Sequence, residues 1–335
     1  MFSRFPSSLA AAVFAVFAFV SVSPGSEVKA PVRVAFAGFG VGTVVTWIAR
    51  DTDLFAKYGL DVEAVYLDGA AGGGVQSLLG TDIFVNSRDV LPPLEAVSNG
   101  ADLVFFGGHV STENYRFGVA SYVDHLAQLK GKKVGVSNLG RKSDLIARVV
   151  LRRAGLDPVE DVEMVPIGFS PQRAAAIYRN IVQGAPLVAQ VAAEAQRVGI
   201  KVLDVGEVNL VTDLLVTTRA FADRNPNVLR RFLMAYLNGI QYFLTERADT
   251  MRLMKKYVTL VQGTSLGQAY GSLAHQLNPL PLPQAEAVQA LIDAASVTDS
   301  RARRLDPHRL LELDLLKRLD RAGFVKGLYT EKIKL

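Results

Sequence analysis

Short apolar runs alternate along this chain with longer stretches whose apolar residues recur at helical spacing. Val32–Ala37 reads as a buried strand that ends at Gly38. The glycine-rich loop Gly38-Phe39-Gly40-Val41-Gly42 leads into a helix expected from Val44 to Tyr58, which Gly59 and Leu60 stop in left-handed fashion. Asp61–Tyr66 is the next strand. A second loop, Gly69–Gly74, opens a short helix that ends at Gly80, and Ile83–Val85 follows as a strand. The same grammar returns further on: Lys133–Ser137 as strand, Asn138–Lys142 as polar loop, Ser143–Ala154 as helix, and Gly155-Leu156-Asp157 in place of Gly59-Leu60-Asp61. Val162–Pro166 is predicted as a strand, Pro171–Tyr178 as a helix and Ile181–Ala185 as a strand. Two matching βαβ units predict an α/β protein with two domains, each built on a mainly parallel sheet. In such sheets ligands bind at the carboxyl ends of the strands, and two such ends facing each other make a cleft.

The last third reads as helix. Asn225-Pro226 supplies a start signal, and Val228, Leu229, Phe232, Leu233, Tyr236, Leu237 and Ile240 then fall on one face. Asp306-Pro307 repeats the signal, with Leu311, Leu315 and Leu319 as a stripe and Gly323 as the stop. At the other end, Arg4 precedes an apolar run from Leu9 to Val22, followed by small residues at Ser23 and Gly25. That pattern predicts a secretory signal peptide over residues 1–25, too short to span a bilayer, and so an exported mature protein.

Charge and composition narrow the function. The net charge is +5, but residues 301–335 hold ten Lys/Arg against five Asp/Glu, so the other 300 residues are neutral overall. A neutral body of this kind argues against nucleic acid as a partner. The chain has no cysteine, which removes thiol catalysis, cysteine-type zinc sites and disulfide scaffolds. Gly38-x-Gly40 lacks the third glycine of a dinucleotide fingerprint, since Thr43 stands there. Gly69–Gly74 lacks the Lys-Ser/Thr of a phosphate loop, with Val75 and Gln76 instead. The four histidines, His109, His125, His275 and His308, show no metal-ligand spacing. No catalytic residue, metal or cofactor is therefore expected.

What remains are loops suited to holding a ligand. Gly40–Thr46, Gly72–Gly74 and Asn138–Ser143 each lead into a predicted helix, where free N–H groups and the helix dipole favour an anionic or strongly polar group. The expected ligand-binding residues are Gly42, Thr43, Thr46, Gly73, Ser87, Asn138 and Ser143, with Arg88 and Arg141 as anion partners. Lys142 shares the helix start with Arg141. Trp47, the single tryptophan, either stacks on a ligand or fills the helix–sheet interface.

The stretches Val44–Asp51 and Leu54–Glu63 resemble the opening segment of nitrate/sulfonate/taurine-type solute-binding proteins, the capture subunits of ABC importers, in the superfamily that includes thiamine-pyrimidine synthases. Leu129–Val136, Ala154–Pro158, Gly199–Leu203 and Val216–Phe221 are similar to later segments of that family. The resemblance implies a type II periplasmic-binding-protein fold, with the ligand cleft between two lobes. Lobe one combines residues 31–112 with 213–335, and lobe two is 113–212. It implies a periplasmic monomer that closes on a small-molecule solute and delivers it to a permease and its ATPase. A sensory binding protein, or an exported enzyme acting on a small organic acid, uses the same scaffold. Three features depart from the family: Gln183 replaces a frequent aspartate before the second-lobe cleft, where the resemblance implies a ligand-binding residue, the loop Gly80-Thr81-Asp82 is short, and the cysteine-rich motif of the thiamine-pyrimidine makers is missing.

Overall fold

The structure, a computed structural model, describes residues 30–37, 40–67, 81–87, 90–113, 115–256 and 266–330. The signal-peptide segment and the loop Gly69–Gly74 lie outside the described residues.

In chain order, the first unit has β1 (Ala30–Ala37), α1 (Val41–Asp51), α2 (Leu54–Lys57), β2 (Leu60–Leu67), β3 (Ile83–Ser87), α3 (Pro92–Ser98) and β4 (Leu103–Gly107). Next come β5 (Val110–Glu113), β6 (Tyr115–Val119), β7 (Lys132–Val136), α4 (Lys142–Arg153), β8 (Val162–Pro166), α5 (Ser170–Tyr178), β9 (Gly184–Val188), α6 (Ala189–Arg197) and β10 (Lys201–Asp204). The chain then returns through β11 (Val208–Val211) and β12 (Asp213–Thr218). It ends in α7 (Arg219–Arg224), α8 (Pro226–Thr245), α9 (Arg247–Met254), α10 (Leu266–Gln276), α11 (Ala285–Ala295), α12 (Pro307–Leu310), α13 (Asp314–Arg321) and α14 (Phe324–Thr330).

Two five-stranded sheets share one topology. The first has the order β2-β1-β3-β12-β4, and the second, read from its other edge, β8-β7-β9-β6-β10. In each, three adjacent strands are parallel and the fourth, β12 or β6, is reversed. These reversed strands are where the chain crosses from one sheet to the other. The segments leading into them, β5 and β11, pair antiparallel as a two-stranded ribbon between the sheets. The crossings are pinned where the backbone of His109 exchanges hydrogen bonds with Thr212 and Asp213: His109 N–H donates to Asp213 O at 3.0 Å, and Thr212 N–H donates to His109 O at 2.9 Å. Gly108 is required there, because a Cβ would sit 2.5 Å from the Asp213 carbonyl oxygen.

Local signals explain most boundaries. Gly155 adopts φ 78°, its N–H bonds Arg152 O at 2.9 Å and Leu156 N–H bonds Leu151 O at 3.0 Å, which is a complete Schellman stop after α4. Two expected helices are broken. The helix expected to run to Tyr58 stops at Asp51, and Asp53 takes a left-handed φ of 56° before α2. Asp is one of the few non-glycine residues that tolerate this conformation. The helix expected from Pro307 through Leu319 is split because Leu311 bridges to Phe105 and Glu312 N–H donates to Phe105 O at 3.0 Å. The open edge of β4 competes there with helix propagation.

The core has three parts. One cluster runs through both sheets, joining Phe84, Phe105 and Val216 of the first to Phe117, Val134 and Val136 of the second, with α11 packed among them. A second lies behind the first sheet, between α1 and α8, and holds Trp47, Phe232 and Tyr236. A third sits between the second sheet and α5 and α6. Helix α11 falls in the segment that the sequence reading groups with the first sheet, yet it packs against α4 of the second. Arg152 and Arg153 of α4 pair there with Asp293 and Glu286. Among the described residues no helix is long and apolar enough to cross a membrane.

Candidate functional site

Strand β1 delivers the chain to Gly40, whose extended backbone caps α1. The first turn of α1 is tied to two strands. Gly42 N–H donates to Asp213 Oδ1 at 2.9 Å, Thr43 N–H donates to Ser87 Oγ at 3.2 Å, and Thr43 Oγ1 lies 3.1 Å from the same oxygen. Gly40 is needed for this approach, since a Cβ there would come within 2.8 Å of Ser87 Cβ, and Gly42 keeps it uncrowded, since a Cβ there would sit 3.2 Å from Asp213 Oδ1. The structure thus brings Gly42, Thr43 and Ser87 together and adds Asp213, which the sequence reading missed. The signal was a lone carboxylate between the apolar runs Val208–Val211 and Leu214–Val216, at the point where the chain returns to the first sheet.

Three expected site residues lie elsewhere. Thr46 is buried, and its hydroxyl donates to Gly42 O at 2.8 Å one turn back along α1. Trp47 is buried edge-on to Phe36 at 5.9 Å, so it fills the helix–sheet interface rather than stacking on a ligand. Gln183 precedes β9, at the amino ends of the parallel strands. Its Oε1 accepts Lys133 N–H at 3.1 Å and its amide donates to Asn180 O at 3.1 Å. The strand expected from Ile181 begins only at Gly184, which leaves Gln183 at the end of the sheet away from the start of α4. Gly73 and Arg88 lie outside the described residues.

The junction from β7 into α4 is built differently. Ser143 Oγ accepts Ser137 N–H at 2.7 Å and donates to Ser137 Oγ at 2.8 Å, fixing the turn. Asp144 Oδ2 accepts Gly140 N–H at 2.8 Å and also pairs with Arg148 Nε at 3.0 Å, both side chains being fully buried. Asn138 and Arg141 are exposed, and Arg141 occupies the cap position of α4. Lys142 Nζ donates to Glu113 Oε1 at 2.7 Å, and Ser111 Oγ donates to the same oxygen at 2.7 Å.

Both strand-to-helix junctions face one cleft of about 720 Å³. Gly40 and Asp213 form one wall and Gly140, Arg141 and Lys142 another. The β5–β11 ribbon closes its floor, and α10 presents Ser272, His275 and Gln276. Under the Asp213 side, His109 is buried with its Nε2 2.8 Å from the Tyr236 hydroxyl. Burial pushes the His109 imidazole down to about 4, against the opposing pull of the Asp213 charge, and burial raises the Tyr236 phenol well above its ordinary value. No group of three or more His, Cys, Asp or Glu among the described residues is arranged to hold a metal ion.

Comparison with solved structures places this geometry. A protein of Bordetella bronchiseptica RB50 superposes with a TM-score of 0.51 at 21% identity, over 88% of this chain and 98% of that one. A protein described as the periplasmic sulfonate-binding protein SsuA of a sulfonate ABC transporter from Methylobacillus flagellatus KT gives 0.51 at 18% identity, over 91% and 98%. At these identities the likeness establishes the periplasmic binding protein fold and nothing finer. No curated protein matches the chain in sequence. The family model described as NMT1/THI5 like matches residues 44–248, from the first helix through the crossings and into the helical tail. With well over half its length matched and both sheets in the expected fold, the chain belongs to the NMT1/THI5-like family.

Proposed function

We propose that this protein is a periplasmic solute-binding protein that captures a small, polar organic solute in the cleft between its two sheets and hands it to an ABC importer. The observation that carries the reading is the pair of strand-to-helix junctions, at Gly40 and at Gly140–Lys142, that border one cleft from two sheets of the same topology. A solute touching both walls stabilises closure by its differential affinity for the closed state. The lobes are residues 31–112 with 213–335, and 113–212; the ribbon β5–β11 is their hinge, and α11 of the first lobe packs against α4 of the second. Residues 1–25 direct export and are removed. Binding rather than turnover fits the hydroxyls of Thr43, Ser87, Ser137 and Ser143, which hydrogen-bond to one another and to backbone as scaffold.

The test is a thermal-shift screen of the mature protein against nitrate, alkyl and aryl sulfonates, taurine, aromatic carboxylates and pyrimidines. A ligand at a hundred times its Kd adds about 2.7 kcal/mol, a shift of several degrees for a chain of this size. Recovery of the bound compound unaltered supports capture. A compound that binds and returns chemically changed overturns it in favour of an enzyme.

A further inference from the structure

Four acidic or basic side chains line the cleft, Asp213, Glu113, Arg141 and Lys142, together with the imidazole of His275. Glu113 and Lys142 pair with each other at 2.7 Å and leave no net charge between them. Asp213 and Arg141 remain, on opposite walls. Among the described residues neither has an oppositely charged side chain as partner. Asp213 is 1% exposed, and its one described side-chain hydrogen bond is the Gly42 N–H on Oδ1. Asp213 borders the cleft, and a carboxylate so largely buried needs more than one neutral donor. The partial charge of about +0.5 at the α1 N-terminus cannot offset a full negative charge. Asp213 also holds the position that a ligand anion takes at a free helix N-terminus, so the expectation of an anion bound at α1 is inverted: a ligand arriving there meets a carboxylate. The neighbouring imidazole of His109 is held neutral by burial and supplies no compensating charge.

We infer that the cleft selects solutes carrying both charges, with a protonated amine or amidine set against Asp213 and a carboxylate or sulfonate set against Arg141, and that it discriminates against plain anions. This rests on the solute-binding reading above and deepens it. Asp213 is a specificity-determining residue in this scheme, and Arg141 supplies the second pole.

The experiment uses charge-matched triads: butanoate, 4-aminobutanoate and butylammonium; propane-1-sulfonate, 3-aminopropane-1-sulfonate and propylammonium; benzoate, 4-(aminomethyl)benzoate and benzylammonium. Binding to the full mature chain is read by native mass spectrometry and calorimetry. In at least one triad the doubly charged member is expected to bind tenfold or more tighter than either singly charged one. Asp213→Asn, checked for folding by circular dichroism, should cut its advantage over the plain anion by about tenfold. Arg141→Gln changes an exposed residue, so it keeps the test open should the first variant misfold; it should cut the advantage over the plain amine. Plain anions binding as tightly as their doubly charged partners would overturn the inference and leave the solute-binding reading standing. No binding across all nine compounds and the thermal-shift screen would overturn both.

Discussion

The two strand-to-helix junctions that face the cleft solve one problem in opposite ways. At α4 the carboxylate that satisfies the loop comes from the helix itself: Asp144 reaches back to Gly140 N–H and is neutralised by Arg148 one turn further on. At α1 it comes from Asp213, 171 residues away, and no cation accompanies it among the described residues. The first arrangement pairs its two buried charges within one helix, so they serve the fold, although Asp144 Oδ1 and Arg148 Nη2 are left without a hydrogen-bond partner. The second is open on the cleft side, so its buried charge is available to a ligand. Similar topology does not imply similar chemistry at the two walls.

The largest test of this difference is to remove each carboxylate. Asp144→Ala strands the fully buried Arg148 and is expected to cost about 3–5 kcal/mol in a guanidinium titration. Asp213→Asn keeps an oxygen for Gly42 N–H and removes an unpaired charge, so it should change stability by less than about 1 kcal/mol. Equal costs at the two sites would erase the contrast.

The next effect is in pH. The unfolded histidine titrates near 6.5 and His109 in the fold near 4, so between these values the unfolded chain binds the extra proton. Stability should therefore fall as pH drops through that window, by up to about 3 kcal/mol from this residue. His109→Gln should flatten that part of the curve relative to the unsubstituted protein. Identical slopes would place the acid sensitivity in other groups.

A smaller effect separates the two glycines. Gly40→Ala drives a Cβ against Ser87 and Asp213 in a packed wall and should cost about 1–3 kcal/mol. Gly140→Ala is strained by a φ of 70° instead, with Leu91 as the near neighbour, and should cost about 1–2 kcal/mol. The smallest is Glu113→Gln, which breaks a half-exposed pair with Lys142 and should change stability by under about 1 kcal/mol. Its readout is the cleft: the freed Lys142 should strengthen binding of a plain anion.

Much of the architecture was legible because its signals are local. The stops at Gly59 and Gly155, the apolar strand runs and the stripe on α8 each depend on residues within a few positions. The helix breaks at Asp53 and Leu311 were not, since one is a single residue in a tolerated but uncommon conformation and the other is a tertiary contact with the edge of β4. The candidate site was legible only in part for the same reason. Gly42, Thr43 and Arg141 follow from loop-to-helix grammar and Ser87 from the end of a strand, whereas Asp213 reaches α1 only once β12 has threaded into the first sheet. Trp47 was drawn toward the site by residue type and Gln183 by the family resemblance, and packing and strand register took them elsewhere.

The threading of β12 also sets an order of assembly. All five strands of the second sheet come from one uninterrupted stretch, β6 to β10, so that sheet can form as soon as it is available to fold. The first sheet cannot close until β12 inserts between β3 and β4, which leaves two strand edges without their neighbour while the rest of the chain is organised. Long-range pairing of this kind is slow to form. Pulse-labelled hydrogen exchange during refolding should accordingly protect β7 and β9 before β3 and β4. The first sheet in sequence is then the last to be completed, and the wall holding Asp213 forms in that final step.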